Sequence, residues 1–196
     1  LKMNTNILIL ISLILILVLL ITCKSEGFEM VEMSKTGKKY TVQEYTDSKG
    51  AADLLAQLEK NINIFIVKLK KNHPNDERIK RLVKNMSSTI IEEAPHVDNE
   101  STYTINKGEL IKICLREKKD EKPFHSVNTL MFVILHELAH VVSKSIGHTA
   151  EFMENFRFLL RQAPKYNIDY EPVDYSENKM TYCGVEVTHN PYYNHV

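Results

Sequence analysis

Three residues of this chain have the types and spacing for metal chemistry: His136, Glu137 and His140, in the run His136-Glu137-Leu138-Ala139-His140. On a helix, positions four apart lie on one face a turn apart, so the two histidines can offer imidazole nitrogens to one metal ion. Glu137 projects beside them, placed to take a proton from a water activated by the metal without being a ligand itself. The implied chemistry is metal-assisted hydrolysis. Three fixed letters over five positions are weak evidence alone, so the setting has to decide. On a helical wheel Met131, Ile134, Leu138, Val141 and Val142 cluster opposite the histidines, and Leu135, Ala139 and Ile146 fill the flanks. A helix this apolar is normally buried. Polar groups inside it need partners, and a metal with its water supplies them. The plainer alternative is two hydrogen-bonded core histidines beside a surface glutamate.

Catalytic zinc takes three protein ligands and keeps a fourth position open. The nearest downstream histidine is His148, directly after Gly147. A helix continuing straight to Gly147 would carry the chain about 10 Å past the metal. His148 can ligate only if the helix ends early, near Ser143-Lys144-Ser145, or if the loop doubles back. Glu151 and Glu154 are rivals from the following helix, which is marked by Phe152, Phe156, Leu159 and Leu160 with Pro164 near its end. His125, His189 or an aspartate are more distant candidates, and His148 is preferred.

The elements that must position these residues are legible in outline. Ser126 can cap the motif helix, whose last turn is expected to run toward Gly147. Upstream, 101–106 and 109–117 read as two strands joined at Lys107-Gly108, since Ile111, Ile113 and Leu115 alternate with Lys112, Cys114 and Arg116. Leu54, Leu55, Leu58, Ile62, Phe65, Ile66 and Leu69 predict an amphipathic helix over 51–71. Asn72-His73-Pro74-Asn75 stops it, and a second helix follows over 76–86. The cations of these two helices, from Lys60 to Lys84, read as a solvated face. Anionic lipid or nucleic acid is the sharper reading, and no interleaved aromatic platform supports it. After Pro164 the chain is irregular and rich in tyrosine; a tyrosine hydroxyl could stabilise an oxyanion, but none is singled out.

The 196 residues suit one domain with appendages. Lys plus Arg and Asp plus Glu are 25 each, so net charge gives no argument for nucleic acid or for an acidic substrate. Of three cysteines, Cys23 lies in an N-terminal apolar segment, which leaves Cys114 and Cys183 as the possible intradomain pair. Residues 6–23 have no charge, Gly or Pro and would rise about 27 Å as a helix, close to a bilayer core. They predict a transmembrane anchor over 1–23, with the lysines after the span leaning toward a cytoplasmic C-terminal part. Residues 24–50 are polar without a sustained period and read as a stalk or linker, or as edge structure. The domain proper is expected over 51–196.

His136-Glu137-Leu138-Ala139-His140 followed by Gly147-His148 and Phe152 resembles the core of the WLM-type zinc metallopeptidases, and more loosely the SprT-like proteases. The combination with Ile111 to Arg116, Gly147 to Phe152 and Tyr182-Cys183-Gly184 is similar to WLM-like, membrane-anchored proteins of large nucleocytoplasmic DNA viruses. The likeness covers roughly residues 100–190. It implies a zincin-like α+β fold of helices plus a small antiparallel sheet, Zn2+ as cofactor, His136, His140 and His148 as ligands, and Glu137 as catalytic base. It also implies a single-pass location in a virion or host membrane. The tail lacks the cysteine-rich modules that take SprT-like proteins to DNA and ubiquitin partners.

The function expected is therefore a membrane-anchored zinc metallopeptidase acting on a protein or peptide substrate. One alternative is a zinc-stabilised structural or interaction protein without turnover. The other is a basic membrane-tethered binding module in which the motif is accidental.

Overall fold

The computed structural model describes residues 29–95, 102–117 and 123–193. Within 24–50, a stretch whose composition suits a stalk or edge structure, the chain forms a hairpin of β1 (Glu29–Met33) and β2 (Lys39–Gln43), paired from Glu29 with Gln43 to Met33 with Lys39. Alternation along β2 buries Tyr40 and Val42, so the hairpin packs on the body of the protein. Helix α1 (Ser48–Asn72) then buries Leu55, Leu58, Ile62, Phe65 and Leu69, the three-and-four spacing expected of one apolar face. Helix α2 (Glu77–Asn85) begins where the Asp76 carboxylate accepts the Arg78 amide at 2.9 Å.

A three-stranded sheet follows, in the order β3-β5-β4. Strand β3 (Ile90–Glu93) runs parallel to β5 (Leu110–Ile113), while β4 (Tyr103–Ile105) runs antiparallel to it. The sheet is thus mixed rather than antiparallel, because β3, too short to show a period, adds to the far edge of β5. Helix α3 (Val127–Val142) carries the motif, and Ser126 caps it by accepting the Thr129 amide. Helix α4 (Ala150–Gln162) packs against α3, and a last hairpin of β6 (Met180–Tyr182) and β7 (Val185–Val187) closes the fold. The architecture is α+β with small sheets.

The anchor expected over 1–23 lies outside the described residues, and no helix among the described residues is long and apolar enough to cross a membrane. The longest, α1, carries Lys49, Glu59, Lys60, Lys68, Lys70 and Lys71 and is apolar on one face only. The membrane anchoring, and with it a virion or host membrane location, is accordingly withdrawn. The basic stretch on α1 and α2 is also partly committed: Arg78 pairs with Asp76, Lys80 with Glu77, and Arg81 donates to the Val142 carbonyl.

The first hairpin, the sheet and α1 meet at one buried ion cluster. Arg116 is fully buried; its Nε donates to Glu93 at 3.0 Å, its Nη1 to Asp47, and its guanidinium lies over the rings of Phe124 and Tyr45. Glu93 also accepts the Gln43 amide at 2.8 Å. Burial nevertheless pushes the Glu93 carboxyl upward, against the pull of that amide and of Arg116. An Arg116→Met variant leaves this carboxylate buried without its cation and should lose about 3–5 kcal/mol of stability at pH 8. The loss should shrink at acid pH as Glu93 takes up a proton, which urea unfolding at the two pH values will show.

Candidate metal centre

The site depends on where α3 stops. It ends at Val142, short of the expected run toward Gly147, and Ile146 is therefore not on a helix flank but 88% exposed in the loop. The terminal carbonyls that further turns would have satisfied are taken by other donors. Lys107 Nζ donates to His140 O at 3.2 Å, Arg81 Nε to Val142 O at 2.6 Å and Asn85 Nδ2 to Val141 O at 3.4 Å, while Ser143 Oγ adds a 2.7 Å bond to Ala139 O, which already accepts the Ser143 amide. Two of the four are cations at the negative end of the helix dipole. Gly108, at φ +114°, lets the turn bearing Lys107 approach this closely, since a Cβ there would lie 3.3 Å from both Val141 methyls.

Beyond Val142 the chain reverses. The Glu151 carboxylate accepts the amides of Lys144 and Ser145, each at 2.9 Å, and those bonds hold it down at a pKa of about 2. Gly147 takes φ +80°, and Thr149 caps α4 by accepting the Phe152 amide. The loop thus doubles back. His148 Nε2 comes to 2.9 Å from His136 Nε2, and the ligand nitrogens of His136, His140 and His148 all lie within 4.8 Å of one another. Phe152 forms the floor, its ring 4.3–4.9 Å from all three imidazoles.

Burial first, then neighbouring imidazoles, lowers His136 to about 3 and His140 to about 4. Both are therefore neutral with free lone pairs near neutrality, as a metal ligand must be. Glu137, in the buried middle of α3, is pushed up to about 7 by burial, and accepts a 2.7 Å hydrogen bond from Thr104 Oγ1 on β4. The three histidines and Glu137 line a cavity of about 930 Å3, walled by Tyr103 and Thr104 of β4, Phe132 and Val133 of α3, Phe156 of α4 and the β6–β7 hairpin.

The other candidates lie elsewhere. Glu151 clamps the loop, and Glu154 is exposed and acts electrostatically on Arg78. His125 stacks on Tyr182, with its Nε2 3.4 Å from Cys183 Sγ, and His189 lines the cavity but stands outside the three-nitrogen group. Among the tyrosines Tyr182 also lines the cavity, yet its hydroxyl is committed to Thr102 and the Cys114 carbonyl, while Tyr103 stands in the β4 wall. Thr104 and Lys107 are not apparent from the motif. Thr104 lies on a strand and Lys107 in the turn after it, and neither position has a pattern that says it meets the helix.

An α+β domain bearing an H-E-x-x-H helix and a group of three histidines that could hold a metal is the class the fold and site define. The model of the WLM domain matches residues 41–182, and the chain belongs to that family. An uncharacterized protein of Acanthamoeba polyphaga mimivirus is 34% identical over 171 residues, 84% of each chain. Uncharacterized proteins of invertebrate iridescent viruses 3 and 6 are 46% identical over 56 residues and 32% identical over 99, covering 29% and 50% of this chain and 34% and 51% of their own. No solved structure matches.

In the metal-free protein these environments set opposing pH dependences. Histidines held below their ordinary value of 6.5 contribute stability above that value that is lost as pH falls; Glu137, held above 4.5, contributes stability at low pH that is lost as pH rises through about 7. At pH 5 unfolding should take up about two protons at the histidines and release about one at Glu137, a net uptake of about one. A Glu137→Gln variant should raise this to about two, read from the pH dependence of the unfolding midpoint. Separately, Glu151→Ala should free the loop that returns His148 and accelerate amide exchange at residues 144–149 at least about tenfold. Hydrogen exchange measures it, and an unchanged rate would show that the loop needs no clamp.

Proposed function

We propose that this protein is a zinc-dependent peptidase whose ligands are His136, His140 and His148 and whose general base is Glu137. The observation that carries the reading is the convergence of three imidazoles, beside a buried glutamate, on a cavity open enough for a substrate. The donor set suits zinc: nitrogens about 2.0–2.1 Å from a tetrahedral ion stand about 3.3 Å apart, within the spread of this group. When bound, the ion supplies Lewis acidity toward water and toward a peptide carbonyl. Glu137 takes the proton of the water whose oxygen attacks the carbonyl carbon, and delivers it to the amide nitrogen as the C–N bond breaks. Thr104 fixes the carboxylate by occupying Oε2, and burial raises its basicity to suit both transfers.

A protein or peptide is the substrate that fits. Strand β4 pairs with β5 on one side and with no other strand among the described residues, so its second edge offers main-chain groups to an extended peptide beside the cavity. The alternative, a zinc-stabilised interaction protein without turnover, differs in having no open coordination position. His136 and His140 are only partly buried, His148 is exposed, and all three line the cavity, which favours an accessible centre.

The test is Glu137→Gln. It should retain one zinc per chain, by metal analysis, and lose at least about a hundredfold in peptide hydrolysis. Hydrolysis equal to the parent's would remove Glu137 from the mechanism, and a chelator that unfolds the protein rather than inactivating it would favour the structural reading.

A further inference from the structure

Among the described residues the outer wall of the cavity has one covalent tie to the rest of the fold. Strands β6 and β7 pair only with each other, and their hairpin contributes Tyr182, Val185, Glu186 and Val187 to the lining. Its polar and covalent ties converge on Cys114, the residue that follows β5. Cys183 is disulfide-bonded to Cys114, 69 positions away in sequence. The hydroxyl of Tyr182 donates to the Cys114 carbonyl at 2.8 Å and is hydrogen-bonded to Thr102 Oγ1, which in turn accepts the Cys114 amide at 3.0 Å. Beyond Cys114, Cys183 Sγ also lies 3.4 Å from the Arg116 carbonyl and from His125 Nε2, Thr129 Oγ1 approaches the Met180 sulfur at 3.8 Å, and Met180 and Val187 pack against the core.

The histidine cluster is held by different groups. His136 and His140 ride on α3, and His148 is returned by the loop that Lys107, Arg81 and Glu151 secure; none of these lies on the hairpin. The wall can therefore move while the metal ligands stay. Thr102 stands two residues before Thr104, so the same clasp also steadies the end of β4 that supports Glu137.

We infer that the Cys114–Cys183 disulfide is the clasp of the substrate cavity, so that the wall facing the metal centre is in place only in the oxidised protein. This rests on the peptidase reading for its consequence but not for its geometry. A dithiol reductant opens the clasp by transferring two electrons and two protons, leaving two cysteine thiols here and a disulfide on the reductant. Both cysteines are buried, at 2% and 1% exposure, so the sulfurs are reached only when the hairpin lifts. His125 Nε2, 3.4 Å from Cys183 Sγ, is placed to hydrogen-bond the released thiol.

The experiment compares the zinc-loaded full chain before and after reduction by a water-soluble phosphine. The phosphine becomes its oxide with the oxygen of one water, and adds no thiol that would compete for zinc. Amide exchange at residues 180–187 should accelerate at least about tenfold while α3 is unchanged and zinc stays bound. In peptide hydrolysis KM should rise at least about fivefold with a smaller change in kcat. Reoxidation should reverse both effects, and a Cys114→Ser/Cys183→Ser variant should behave as the reduced protein and ignore the phosphine. Unchanged exchange in the hairpin would overturn the inference. So would exchange rising equally in α3, which would make the disulfide a general staple, or a loosened hairpin with KM unchanged. If the hairpin loosens alone but the oxidised protein cleaves no peptide, the clasp stands and the peptidase reading falls.

Discussion

The early end of α3 is the constraint on which the site depends. A helix exposes its last carbonyls wherever it stops, and stopping inside a folded domain is stable only if other groups satisfy them. Here the donors come from α2 and from the β4–β5 turn, so two separate parts of the chain must be in place before the helix can end at Val142. That ending determines the chemistry. One or two further turns would have put His148 beyond reach of His136 and His140, and only two imidazoles would have stood together.

The same dependence separates what was legible in the sequence from what was not. Periodic elements were readable: α1 buries the apolar set at three-and-four spacing, and β5 buries Ile111 and Ile113 in alternation. Both patterns are local, because burial of one face writes itself into neighbouring residues. The β1–β2 hairpin and β6–β7 were not readable. Each is short and half exposed, and what fixes them lies far away in sequence, Glu93 and Arg116 for the first and Cys114 for the second. Strand β3 was missed for the same reason, its partner β5 lying beyond β4 in the chain.

For the site, His136, Glu137 and His140 follow from a single helical turn, so their proximity needed nothing beyond the motif. Whether His148 joins them turns on Lys107, Arg81 and Glu151, none of which has a signature of its own. Glu151 shows how composition misleads here. As an acidic residue at the start of the next helix it has the right type for a ligand, yet its two oxygens already accept the Lys144 and Ser145 amides. A carboxylate so occupied holds the loop that carries His148 rather than joining the histidine group.

The polarity of the centre also follows from its surroundings. Buried on all but one side, α3 presents its histidines over Phe152 and within reach of Phe156, in a setting that disfavours charge on imidazole. The same burial keeps a proton on Glu137 more readily than in water. The metal-free site therefore tends toward neutrality, with Lys107, the nearby cation, directed at the His140 and Ser145 carbonyls. Neutral imidazoles at His136 and His140 suit that setting, and the 2.9 Å approach of His148 Nε2 to His136 Nε2 is a hydrogen bond in which one of the two rings keeps its N–H. One cause, burial of α3, thus moves the imidazoles and the carboxyl in opposite directions and leaves both kinds of group closer to neutral.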